Sequence, residues 1–161
     1  MVSSFFLTAQ FLSLCFWVGT SFALVTLVSP LVFKQAPSPH FAGTLMSSIL
    51  LRYSGIFIAN AMFLILTFSF QSLVLSPYLG LKLRLATALV SLALVIAVYD
   101  KYVLARKIRL VREKMSAALS GEFVNHDDRR EFSRLQRRSM LLFLLNLLLG
   151  ISVIVVLMFN I

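Results

Sequence analysis

Cysteine is almost missing from this chain of 161 residues: Cys15 stands alone, so no internal disulfide can form. Histidine is nearly as scarce. His40 and His126 lie far apart, with no His-x-x-His or Cys-x-x-Cys pair, which removes support for a structural zinc site or a bis-histidine haem site. The six methionines are scattered rather than laddered, and no glycine-rich phosphate loop occurs. All six carboxylates (Asp100, Glu113, Glu122, Asp127, Asp128 and Glu131) fall within 100–138, so a mid-membrane carboxylate relay is excluded. Charge of either sign is absent over residues 1–33, 53–81, 85–99 and 139–161.

A bilayer hydrocarbon core is roughly 30 Å thick, and about 20 apolar residues of helix cross it. Three of the charge-free runs meet that length. The run 85–99 meets it once Lys82 and Arg84 snorkel towards the interface. Hydrophobic residues make up 60% of the chain and charged residues 13%, a balance that no soluble domain of this size keeps dispersed. Spans in lipid are helices or closed barrels, and barrel strands alternate apolar with polar residues. The run Leu141-Leu142-Phe143-Leu144-Leu145 does not alternate. The predicted fold is therefore an all-α integral membrane protein, a four-transmembrane-helix bundle forming a single membrane domain over 1–161. Its spans lie near 4–30, 51–74, 80–100 and 139–160. The first run has no basic n-region and exceeds the roughly 7–15 residues of a signal-peptide core, so it reads as a retained span. Cys15 sits within it as a small apolar filler.

The charges are distributed unevenly. Segment 100–138 holds eleven of the fifteen basic residues, and Lys34 and Arg52 flank the loop between the first two spans. Four crossings put these two regions on one side and leave only Lys82 and Arg84 near the other. Positive residues in short loops are retained in the cytoplasm, which predicts basic loops inside and both termini outside a plasma (inner) membrane. The formal net charge of +9 does not point to nucleic acid, because the charges flank spans. It suits a leaflet rich in anionic lipid.

Pro30 is predicted to kink or end the first helix. Ser38 is a candidate N-cap for a helix opening at Pro39, and residues 39–50 read as an interfacial turn of helix before the second span. Ser76-Pro77 is read as its stop and Tyr78-Leu79-Gly80 as an outer turn. Beyond Asp100, Val103, Leu104, Ile108, Val111, Met115, Ala118 and Leu119 recur at spacings of three and four, so the third helix is predicted to continue out of the membrane towards Gly121. A return helix starting after Asn125 or Asp127 places Phe132, Leu135 and Ser139 on one face. The result is a cytoplasmic helical hairpin over 101–138. Its apolar stripes leave three readings open: the arms pack on each other, dock a partner, or lie on the lipid surface.

Neutral polar groups are what remain inside the membrane. Trp17, Asn60 and Asn146 form a candidate intramembrane polar cluster, which Gln10, Thr20, Ser21, Thr67, Gln71, Thr87, Ser91 and Ser152 could join. Such groups either fasten helices or line a small-ligand cavity. Arg52 and Asp100 are a candidate ion pair at the mouth of the third span, with Lys101 or an arginine of the arm as other cations for Asp100. Arg106, Lys107, Arg109 and Arg112 are a candidate surface for lipid or a partner protein. No general base lies where a membrane substrate would reach it, so the chain is not expected to be an enzyme or to carry a cofactor.

Trp17-Val18-Gly19 followed by Pro30-Leu31-Val32-Phe33, together with Phe132-Ser133-Arg134-Leu135-Gln136-Arg137-Arg138-Ser139 running into Leu145-Asn146, resembles an uncharacterised four-helix transmembrane family grouped near copper-resistance D-type membrane proteins. The resemblance covers most of the chain and implies fold and topology. In that family a histidine often stands in the arginine-leucine segment, and here Gln136 takes its place. The expected role is a non-enzymatic accessory or scaffold subunit that binds membrane lipid, a protein partner or a further copy of itself. The alternative is a component of a metal or small-solute transporter.

Overall fold

The computed structural model describes residues 2–74, 77–118 and 126–158, which are helical almost throughout. Helix α1 is Val2–Ala23, α2 is Ser29–Gln35, α3 is Pro39–Val74, α4 is Pro77–Tyr99, α5 is Ala105–Ala118 and α6 is His126–Met158. Two π-helical turns, Leu24–Val28 and Asp100–Leu104, join α1 to α2 and α4 to α5 without ending either helix. Four segments are long and apolar enough to cross a membrane: Phe6–Gln35, Phe41–Ser72, Leu81–Val111 and Arg130–Met158. This is a multi-pass membrane protein with four transmembrane helices and, among the described residues, no strand.

Local sequence accounts for the helix ends, with two differences from expectation. Ser38 caps α3 as predicted, its Oγ accepting the amide of Phe41 at 3.2 Å. Pro30 neither ends nor breaks the first helix. The preceding turn widens so that the amide of Ser29 reaches back to the carbonyl of Leu24, and Pro30 then lies in the opening turn of α2, where its missing donor costs little. Residues 78–80 are not a turn either, because Pro77 opens α4 and the helix runs directly through them. Helix α3 is one uninterrupted run of 36 residues, interfacial and spanning parts together. The caps expected at Gly121 and Asn125 lie outside the described residues, and α6 opens at His126.

The core sits where α3 and α4 meet. Phe57, Ala61, Leu64 and Phe68 recur every three or four residues on α3, as do Leu83, Ala86, Val90, Ala93 and Ala97 on α4. Alanines at this seam let the backbones approach closely, and van der Waals contact is the main attraction between helices in lipid. Leu14 and Trp17 of α1 and Val153 of α6 complete the cluster. Trp17 lies against Phe57, with ring centroids 4.9 Å apart. It also covers Gly150, where a Cβ would stand 3.1 Å from the indole and 3.0 Å from Val18. A second cluster lies beyond Asp100: Leu104, Ile108 and Val111 pack on Phe132 and Leu135. The two hairpin arms therefore bury their stripes on each other. Outward positions stay apolar, with Leu66 67% exposed, as a lipid-facing surface requires.

Candidate functional site

The start of α3, the π turn after α4, the first half of α5 and the middle of α6 converge at one end of the bundle. Between them lies a cavity of about 400 Å³, within the range of small-ligand sites. One wall, from α3, brings Met46, Ser47, Ser48, Leu50 and Leu51. The opposite side brings Asp100, Lys101 and Tyr102 from the π turn, Arg106 and Arg109 from α5, and Gln136, Ser139 and Met140 from α6. Widened turns of this kind are frequent at functional sites, and this one carries the site's carboxylate.

Each polar group has a definable role. Ser139 Oγ donates to Asp100 Oδ1 at 2.8 Å, fixing one oxygen of a half-buried carboxylate. The hydroxyls of Ser47 and Ser48 both turn back to the carbonyl of Thr44, at 2.9 and 3.0 Å, which leaves their oxygens free to accept. Lys101 Nζ reaches across to α3, 3.3 Å from where a Cβ on Gly55 would stand, and lies 5.6 Å from the Tyr102 ring centre. The amide of Gln136 occupies the space that a side chain on Gly43 would need: a Cβ there would be 2.7 Å from both Oε1 and Nε2. Arg109 makes a loose 3.9 Å contact with Glu113, both side chains mostly exposed, which leaves its guanidinium available.

Asp100 also borders a second, inner cavity of about 20 Å³, lined with it by Tyr53, Ser54, Phe57 and Asn146 among others. That is room for about one water molecule. Asn146 Oδ1 is buried there with no hydrogen-bond partner among the described residues. The carboxylate thus stands between a large outer chamber and a water-sized inner one.

The residues singled out from the sequence fall in different places. Asn60 faces α1, accepting from Ser13 Oγ at 2.6 Å and donating to the Ser13 carbonyl at 3.3 Å. Asn146 faces the inner cavity, and Trp17 is packed into the core, so the three do not form one polar cluster. Arg52 is exposed, and among the described residues it makes no ion pair with Asp100, whose hydrogen-bond partner is Ser139. The basic arm divides. Arg106 and Arg109 line the outer cavity, Lys107 is exposed away from it, and the Arg112 side chain lies outside the described residues. Lys101 and Ser139 carried a signal, since one adjoins Asp100 and the other shares a face with Phe132 and Leu135. Ser47, Ser48 and Gln136 carried none, because their role depends on which helices meet. Among the described residues no three His, Cys, Asp or Glu side chains come together as metal ligands.

No curated protein and no solved structure matches the chain. Residues 12–117 match the model of a family described as a domain of unknown function, DUF4149. That match runs from α1 through the π turn that presents Asp100 and into α5, and the chain belongs to this uncharacterised family.

Proposed function

We propose that this protein is a non-enzymatic accessory subunit whose charged end holds a phospholipid headgroup. The carrying observation is the outer cavity, which Lys101, Arg106 and Arg109 line together with the apolar Met46, Leu50, Leu51 and Met140. Cationic side chains are complementary to a lipid phosphate, and the apolar wall is complementary to its glycerol and first methylenes. In this reading the charged end faces the cytoplasm, as the distribution of basic residues predicts. Lys34 at the end of α2 stands on that side too.

The test is lipid retention by protein purified in mild detergent and read by native mass spectrometry. Arg106→Gln with Arg109→Gln should lower retained phospholipid about tenfold, since each charge-assisted bond contributes on the order of 1.5–3 kcal/mol where water is excluded and less where it is not. Lys107→Gln, on the exposed side of the same helix, should leave retention unchanged. Equal retention by all variants would remove the reading. A transporter component is the second reading. It rests on the Asn146 oxygen beside Asp100, which has no partner among the described residues, and it would need a wider passage than the inner cavity offers.

A further inference from the structure

The outer cavity holds a carboxylate as well as its cations, and the two have not neutralised each other. Asp100 makes one hydrogen bond, to Ser139, and no ion pair among the described residues. Lys101 Nζ is directed onto α3 beside Gly55 and not onto its neighbour's carboxylate. Arg106 and Arg109 line the same chamber. A ligand with negative charge alone would satisfy the cations but leave the Asp100 carboxylate unpaired near its phosphate, which costs most in a low-dielectric recess. A half-buried carboxylate with one fixed oxygen still has lone pairs to offer a donor. The chamber is complementary to a group that carries both signs a few atoms apart.

We propose that the site selects a phosphoryl headgroup bearing a primary ammonium, with its phosphate against Lys101, Arg106 and Arg109 and its ammonium on Asp100. This rests on the headgroup reading above and narrows it to aminophospholipids. A primary ammonium donates hydrogen bonds to a carboxylate. A quaternary one has no N–H to give, so choline headgroups are discriminated against, and glycerol headgroups lack the charge altogether. Ser139 is a positioning residue, which presents the second carboxylate oxygen to the chamber.

The full-length protein in lipid nanodiscs or mild detergent is titrated with phosphatidylethanolamine, phosphatidylcholine and phosphatidylglycerol, and bound lipid is counted by native mass spectrometry. Wild type should prefer the ethanolamine lipid about tenfold over each of the others, the worth of one charge-assisted hydrogen bond. Asp100→Asn still accepts from Ser139 and should abolish that preference while phosphatidylglycerol binds as well or better. Ser139→Ala, with the charge kept, should reduce the preference a few-fold and provides a second reading if Asp100→Asn fails to fold. A wild-type preference for phosphatidylglycerol, or an ethanolamine preference unchanged in both variants, would overturn the ammonium assignment and leave the headgroup reading standing. Loss of all three lipids' binding in wild type would remove both. Soluble O-phosphoethanolamine should not displace the lipid at millimolar concentration. Displacement would assign the site to a free phosphoamine and overturn the lipid assignment.

Discussion

At Tyr53 one hydroxyl holds α1 onto α3. Its Oη lies 2.6 Å from Ser21 Oγ, accepts from Thr20 Oγ1 at 3.2 Å and donates to the Trp17 carbonyl at 3.3 Å. Interhelical hydrogen bonds of this kind contribute about 1 kcal/mol or less in membranes, because a separated helix finds other partners. Tyr53→Phe should therefore lower the thermal midpoint in detergent by an amount equivalent to about 1 kcal/mol. Ser54→Ala, which loses only a bond to its own helix at Leu50, should barely move it. Gly150 is a harsher test. A Cβ there already needs Val18 and Trp17 to give by a few tenths of an ångström, so Gly150→Leu should push α1 off α6 and cost about 1–3 kcal/mol or more in the same melt. Residue types showed that polar groups lie in the spans, but not which neighbour each one faces. Asn60 and Asn146 look alike in sequence, yet one meets Ser13 and the other an inner cavity.

At the scale of elements, helical periodicity carried most of the fold: four spans and the continuation of the third helix past Asp100 were legible from spacing, whereas the packing of the hairpin arms on each other was one of three readings that spacing left open. The π turns were not. A single extra residue in a helix leaves the apolar pattern readable on both sides of it. Its trace is local, at Val103, which the spacing assigns to the buried stripe and the structure leaves 38% exposed, while Leu104, Ile108 and Val111 share the buried face. The extra residue is slack, and slack makes a prediction. Deleting Val103 should relax Asp100–Leu104 into α-helix with the following face unchanged, so that Ile108 and Val111 still meet Phe132 and Leu135. Inserting an alanine after Val103 adds to a turn already widened and should rotate α5 by about 100°. The insertion should lower the thermal midpoint and lipid retention together, and the deletion should spare the first more than the second. An equal loss from both changes would show that the turn provides no slack.

For the whole molecule, the asymmetry that matters is between its ends. Asp100 and the residues that line the outer cavity gather at one end, while Leu81, near the start of α4, lies about 19 residues or roughly 28 Å away at 1.5 Å per residue. The existence of a charged end was legible from where the charges fall along the sequence. The cavity within it was not, because it depends on how α3, α5 and α6 come together around the π turn. The basic residues predict that this end faces the cytoplasm, and cysteine labelling tests that prediction directly. Cys15 is exposed on α1 and is first replaced by alanine. Lys34→Cys and Lys107→Cys, both exposed at the charged end, should then react with a membrane-impermeant maleimide only after the cytoplasmic face is opened. Leu81→Cys, 64% exposed, should react only from outside if it reaches the interface. Labelling of Lys107→Cys from outside in intact cells would invert the topology. The ammonium preference assigned to Asp100 would survive that inversion, because it depends on the groups that line the chamber, and only the leaflet supplying the lipid would change.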